Sequence, residues 1–282
     1  MSIGTIAEIW RYPVKSMAGE RIESAELGAL GVPGDRGWAV RDEVRGGIRG
    51  AKKIAPLMLC KARYLDAQLS APEITLPDGT TIRADAAGAA AAVSAAVGTS
   101  VTLWPRRPIE DLEHYRRGAP DHEDMEVELR SVFGREAGEP LPDLSVFPPE
   151  LFEYESPPGT YFDAFPLLLL TDASLRRLQE LAPSSSVDVR RFRPNLLIHT
   201  NGSDGEFPEM AWQGRRIAIG SAVLEVTVAC PRCVMITHPV DELPRDSGLL
   251  RTVVQKAAQN VGVYARVETP GTVSRGDEAR LV

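Results

Sequence analysis

The chain has 282 residues, 43% of them apolar, enough for one large core or two smaller ones and so for an ordered globular protein. Lys and Arg total 32 against 39 Asp and Glu, a formal charge of −7, which excludes a global attraction to nucleic acid or membranes and leaves any anionic ligand to a local basic pocket. Three cysteines do not make an extracellular disulfide framework, the first ten residues lack a basic stretch followed by an apolar one, and apolar runs such as Leu167–Leu170 are far too short to cross a bilayer; a soluble cytoplasmic protein with free thiols is expected.

Residues 1–105 read as short strands, at 6–12, 21–27, 37–41 and 61–69, separated by Gly/Pro turns at 28–34 and 77–79. The alanine-dense stretch 85–97 predicts a short helix ending at Gly98. From 106 to 160 the composition changes. Nine prolines fall between Pro105 and Pro158, acids are frequent and periodicity is weak, so this connecting segment either wraps the surface or covers a site.

The second unit, 161–282, opens with a helix predicted over 171–181, with Thr171 as N-cap and leucines at 175, 178 and 181 forming one stripe. Strands are predicted at 195–199, 216–220, 222–229 and 263–267, with a second helix over 249–260. The pattern is mainly β with α/β character, a β-barrel with a few packed helices, and it contains no repeat of fixed period.

Chemistry is expected at Cys230-Pro-Arg-Cys233, directly after the strand 223–229, because a thiolate is the soft ligand for a late metal or a transferable sulfur. A thioredoxin-type disulfide is disfavoured by the Val-Met-Ile-Thr that follows Cys233, which suits strand or turn over helix. Cys230, Cys233 and His238 match a zinc-knuckle spacing only in part, since no fourth Cys or His follows. Two inert buried cysteines remain an open alternative. Basic clusters at Arg11-Tyr-Pro-Val-Lys-Ser16, Asp35-Arg36 and 190–195 sit at strand edges, where Lys15 and one or more arginines could together hold an oxyanion.

Tyr12-Pro-Val-Lys-Ser16, Gly34-Asp-Arg-Gly-Trp38, Phe192-Arg-Pro-Asn195, Ala229-Cys-Pro-Arg-Cys233 and the terminal 270–277 occur in an order that resembles MOSC-domain proteins. More closely, the chain is similar to members with an N-terminal MOSC β-barrel domain, the group that includes the mitochondrial amidoxime-reducing component and its bacterial relatives. The resemblance implies an N-terminal MOSC β-barrel-like domain (1–105) packed on a C-terminal MOSC β-barrel domain (161–282). It also implies the molybdenum cofactor, a pyranopterin with a dithiolene and a terminal phosphate, with Cys233 as the one protein ligand to molybdenum.

Placed near that cofactor by the resemblance are Lys15, Ser16, Arg36, Asp163, Ala164, Phe165, Arg193, Asn195, Arg232 and Tyr264. Cationic and hydroxyl donors suit a phosphate, and Asp163 and Asn195 suit the edge of a pterin ring. Arg232 is expected to lower the thiol pKa of its neighbour Cys233, and His238 is a candidate proton donor. The implied reaction is two-electron reduction of N-hydroxylated small molecules such as amidoximes, hydroxylamines and N-hydroxylated bases. No cysteine follows Cys233, so no iron–sulfur cluster is expected in cis and electrons are expected from a separate donor protein. A sulfur carrier or sulfurtransferase working through a cysteine persulfide, and a molybdenum-cofactor carrier without turnover, are the alternatives.

Overall fold

A computed structural model describes residues 1–200, 202 and 206–282. Seven strands close a barrel. Ser2–Arg11 pairs antiparallel with Leu196–His199, which runs parallel to Leu167–Thr171. That strand pairs with Asn260–Thr269, then follow Ala222–Pro231, Arg216–Ile219 and Glu278–Leu281, and the last returns to Ser2–Arg11 to shut the ring. The first strand of the chain is therefore a stave of the barrel built mostly from residues after 161.

Period-two alternation decides what fills the barrel. Leu167 and Leu169, Leu196 and Ile198, Ile217 and Ile219, Leu224 and Val226, and Val263 and Ala265 all enter one core with Ile3, Ile6 and Ile9. Leu170 and Leu197 face outward instead, into a second cluster with Leu178 of the helix Asp172–Leu181 and with Leu249, Leu250 and Val253 of the helix Ser247–Lys256. The run Leu167–Leu170 is thus covered on both faces, which explains four consecutive leucines in one strand.

Residues 38–105 form two three-stranded sheets. Ile48–Arg49, Trp38–Asp42 and Val101–Pro105 make one, and Lys61–Arg63, Glu73–Thr75 and Thr81–Arg83 the other. Their core takes in Val93 and Val97 of the helix Ala89–Val97, and also Met235 and Val240 from the chain just beyond the cysteine pair. The helix stops at Gly98, whose φ of 75° takes the left-handed conformation that glycine tolerates without penalty.

Two predicted strands change. The stretch 21–27 divides into Glu20–Ile22, which pairs with Ser2–Arg11, and Ser24–Leu27, which pairs with Gly271–Ser274, because its two halves serve different sheets. The strand predicted over 61–69 ends at Arg63, beyond which Asp66 accepts bonds from Ser70 and Leu69 takes a positive φ of 54°, a turn that propensity did not signal. The segment 106–160 contains the helix Met125–Phe133, capped by Asp124, whose Oδ1 accepts from the backbone N–H groups of Glu126 and Val127 at 2.8 and 3.1 Å. Met125, Leu129 and Phe147 of the segment line one cavity together with the cysteine pair.

Candidate functional site

The strand Ala222–Pro231 changes register against its neighbour twice near its end, after Val226 and after Ala229. Bulges of this kind bend a strand out of its sheet, and here they deliver the cysteine pair to the junction between the barrel and the residue 38–105 core. Cys230 is 3% exposed. Cys233 is half-buried, stands at the start of the short turn Val234–Thr237 and packs against the core of the residue 38–105 sheets.

Both cysteines open onto a cavity of about 540 Å³. Its floor carries Arg36, Lys52, Asp163, Ala164, Phe165, Arg193, Asn195, Arg232 and Tyr264, and its roof comes from the segment 106–160. Eight of the sequence-predicted residues around Cys233 therefore share one chamber. Lys15 and Ser16 stand behind that wall. Lys15 is 4% exposed, and its Nζ donates to Asp163 Oδ1 at 2.9 Å, to the Tyr161 carbonyl at 2.9 Å and to Ser156 Oγ at 3.3 Å. Ser16 Oγ accepts from the Ala51 N–H at 2.8 Å.

Three site residues hold left-handed backbone although none is glycine: Ser16 (φ 70°), Arg36 (φ 45°) and Arg193 (φ 58°). Such a conformation costs on the order of 1 kcal/mol or more per residue and persists where the surroundings over-determine it. The over-determination is visible. The Tyr12 ring has Arg193 at 4.2 Å and Arg36 at 4.8 Å from its centroid, and Tyr12 donates its hydroxyl to the Pro194 carbonyl at 3.1 Å. Arg36 donates to Asp35 and, at 3.2 Å, to Asn195 Oδ1, while Arg193 donates to the Met17 carbonyl at 2.5 Å.

Asn195 also ties three elements together. Its Oδ1 accepts from the Leu168 N–H at 3.2 Å and its Nδ2 donates to the Trp10 carbonyl at 3.3 Å. Burial lowers the Arg193 pKa to about 10, with the Arg36 charge adding to the effect. At Asp163 burial would raise the carboxyl pKa, but the charges of Lys15 and of Lys52, whose Nζ lies 3.4 Å away, hold it well below the usual range. That carboxylate is 41% exposed, toward the cavity.

The Arg232 guanidinium is held on two sides. Its Nη1 donates to Cys230 Sγ at 3.0 Å and its Nη2 to the Phe192 carbonyl at 2.7 Å, so the guanidinium hydrogen-bonds the first cysteine and not the second. Successive side chains on extended backbone point to opposite sides, which puts residues two apart together and residues one apart on different faces. Burial still pushes the Cys230 thiol up, against the lowering influence of Arg232. His238, 8% exposed, donates from Nε2 to the Ala51 carbonyl at 2.9 Å and ties the chain beyond the cysteine pair to the residue 38–105 unit.

Lys52, Tyr12 and Arg135 were not singled out from sequence as site residues. Lys52 lies in an Ala-Lys-Lys-Ile run whose only signal is a dibasic pair. Arg135 belongs to the connecting segment, yet its Nη2 donates to the Arg232 carbonyl at 3.1 Å and to Gln259 Oε1 at 3.0 Å. Among the described residues no three His, Cys, Asp or Glu side chains converge on a common metal position.

Residues 3–105 match the family model of the MOSC N-terminal beta barrel domain, and residues 157–280 match that of the MOSC domain. Relatives run nearly the full chain. Human mitochondrial amidoxime-reducing component 1 is 25% identical over 99% of this chain and 83% of its own length. Human mitochondrial amidoxime reducing component 2 is 27% identical over 98% and 82%, and its bovine counterpart is 25% identical over the same shares. With both family models in order along the sequence and a closed β-barrel carrying the cysteine pair, the chain is a MOSC-domain protein with an N-terminal MOSC β-barrel domain.

Proposed function

We propose that this protein is a molybdenum-cofactor-dependent oxidoreductase that reduces N-hydroxylated small molecules, with electrons from a separate donor protein. The observation that carries the reading is the placement of Cys233, half-buried and open to a cavity walled by Arg36, Arg193 and Lys52, in a chain similar over nearly its whole length to amidoxime-reducing components.

The residues present fit the cofactor. A single accessible thiol with no competing chelate suits a metal that takes one protein ligand. Cationic donors line the same wall within an acidic chain, and Arg232 Nε is buried without a protein partner, a donor left for a group that the protein does not supply. Cys233 would ligate the metal. Arg36, Arg193 and Arg232 would hold the phosphate and pterin, supported from behind by Lys15 and Ser16, while Asp163, Ala164, Phe165, Asn195 and Tyr264 would frame the ring. When bound, the cofactor supplies the two-electron chemistry.

The chain's own residues bind, orient and exclude water. Burial alone would lower the Lys52 pKa, but Asp163 above all raises it beyond the ordinary lysine value, so this side chain remains a fixed cation facing the substrate and does not serve as a ready proton donor. Asp163 stays ionised and accepts. The roof from 106–160 reduces solvent access, which strengthens each of these electrostatic contacts. A persulfide-carrying role asks for an accessible, activated thiolate; the Cys230 thiol is buried and pushed up, so that alternative would have to work through Cys233.

The test is to purify the protein from a host that makes the molybdenum cofactor and to measure molybdenum and pterin per chain beside a Cys233→Ala variant. Near-stoichiometric metal, with thiolate ligation lost in the variant, is the expected result. A folded wild-type chain without molybdenum, or a variant that keeps wild-type coordination, would overturn the assignment.

A further inference from the structure

The turn that ends the helix Met125–Phe133 sits on the chain at both sides of Cys233. Gly134 (φ 60°) packs so close to Val234, the residue after the cysteine, that a Cβ on it would come within 3.3 Å of the Val234 Cβ and 2.8 Å of Leu250 Cδ2. Arg135 reaches the residue before the cysteine, donating from Nη2 to the Arg232 carbonyl at 3.1 Å. Arg251 of the helix Ser247–Lys256 holds this turn through the Gly134 carbonyl and Glu139. The turn belongs to 106–156, the stretch between the two matched domains.

Arg135 is unlike its neighbours in that stretch. Arg116, Arg117 and Arg130 pair with exposed or half-exposed glutamates. Arg135 is 6% exposed and donates to four uncharged oxygens, the carbonyls of Phe133, Pro140 and Arg232 and the Oε1 of Gln259. Burying a guanidinium on neutral acceptors is tolerated only where its planar set of donors is well used, and here the fork spans the connecting segment and the cysteine loop.

Gln259 completes the arrangement. Its carbonyl accepts from the Arg232 N–H at 2.8 Å, and its Oε1 accepts from Arg135 Nη2 at 3.0 Å and Nε at 3.2 Å. Both main-chain polar groups of the residue before Cys233 are therefore held, and the two groups that hold them are tied to each other. Ala258 and Gln259 are consecutive non-glycine residues with left-handed backbone, φ 44° and 69°. Strain of this kind persists where the surroundings over-determine it, and it gathers at sites that need a fixed geometry.

We infer that Arg135 is a positioning residue for Cys233: held by Gln259, it fixes the plane of the Arg232–Cys233 peptide and so the direction in which the Cys233 sulfur is presented to a metal in the cavity. The Arg232 carbonyl lies in one plane with the nitrogen and Cα of Cys233, so a bond that orients the carbonyl orients the start of the cysteine. The inference rests on the reading of Cys233 as the ligand. It makes the connecting segment part of that ligand's support.

The experiment compares wild type with Arg135→Gln, Gln259→Met, Gln259→Glu and Asp124→Ala. Gln259→Met removes the side-chain acceptor and leaves Arg135 in place, Gln259→Glu restores an acceptor, and Asp124→Ala weakens the far end of the helix without touching the turn. Thermal unfolding checks that each chain is folded.

The first measurement is the rate at which iodoacetamide alkylates Cys233 in full-length chain from a host that makes no molybdenum cofactor, read peptide by peptide to separate Cys230. A loop freed from a charge-assisted bond opens more often, so Arg135→Gln and Gln259→Met should react about tenfold faster, with Gln259→Glu and Asp124→Ala within about twofold of wild type. The second is X-ray absorption at the molybdenum edge of chains from a cofactor-making host. The metal–sulfur shell should change, or the metal be lost, in the same two variants.

Both readouts moving in Arg135→Gln and Gln259→Met and staying near wild type in the other two supports the inference, and any other pattern among folded chains overturns it. Where one of the first two fails to fold, the other decides. Wild type that takes up no molybdenum refutes the ligand reading instead, and the alkylation rates then decide the positioning role alone.

Discussion

The Lys15 ammonium donates to Asp163 Oδ1 at 2.9 Å, joining the turn after the first strand to the segment that leads into Leu167–Thr171. The two ends of this pair differ in setting. Lys15 is buried and Asp163 faces the cavity, so the carboxylate is shared between the fold and whatever binds there.

Asp163→Asn should therefore lower stability at pH 7 by about 1–2 kcal/mol, a value discounted for the exposure of the carboxylate, because it leaves Lys15 buried without its anion. The folded pKa of Asp163 lies below the unfolded value of 3.8, so its contribution is full above that value and is lost as pH falls through the folded pKa. The gap between wild type and variant should stay constant from pH 7 to 5 and close below about pH 4. Urea unfolding across that range checks it, and a gap that widens in acid would contradict the pairing.

Glu209 gives the opposite sign. It is fully buried, and burial raises its carboxyl pKa although Thr171 and Ser174 each donate a hydroxyl to Oε2 at 2.6 Å and the Gly262 N–H donates to Oε1 at 3.2 Å. With a folded pKa above the unfolded 4.5, the stability linked to this proton is full below about pH 4.5 and is lost as pH rises through the folded value. Glu209→Gln should flatten the decline, so wild type loses stability relative to the variant as pH rises above about 4.5. Parallel pH profiles would show that the carboxyl does not titrate in this window.

Arg135→Ala should cost about 2 kcal/mol, since it removes charged hydrogen bonds to the Arg232 carbonyl and to Gln259. Cleavage within 106–160 by a protease should accelerate while the barrel survives, because the tie joins the roof to the Cys233 loop. Limited proteolysis followed by mass analysis reads this directly.

Cys230→Ala should destabilise by about 1–2 kcal/mol through a small cavity and a lost acceptor for Arg232, which keeps the Phe192 carbonyl. Molybdenum per chain should be unchanged, in contrast to Cys233→Ala. Metal analysis of the two variants side by side distinguishes the roles, and equal loss from both would assign Cys230 to the ligand set.

The cysteine pair, the arginine clusters and the alternating strands were legible because each is a local pattern: a soft ligand after a strand, charges in an acidic chain, apolar residues two apart. The helix Met125–Phe133 was not legible within its Pro-rich surroundings, although Asp124 before it and Gly134 after it are ordinary helix boundary residues. Lys52 was equally hidden, since a dibasic pair says nothing about which carboxylate will meet it.

The sequence by itself determined the β-rich architecture, the helix at 171–181, a helix at 249–260 that in the structure spans Ser247–Lys256 and gives way to the strand starting at Asn260, and the residue types available for a cationic, thiol-bearing site. Only the tertiary structure decided that Ser2–Arg11 closes a barrel made otherwise from residues after 166, that Arg232 serves Cys230, and that 106–160 roofs the cavity. Local periodicity fixes which face of an element is apolar. Its partner is chosen by contacts across long stretches of chain, such as that between Lys15 and Asp163, and no window of neighbouring residues contains both sides of such a contact.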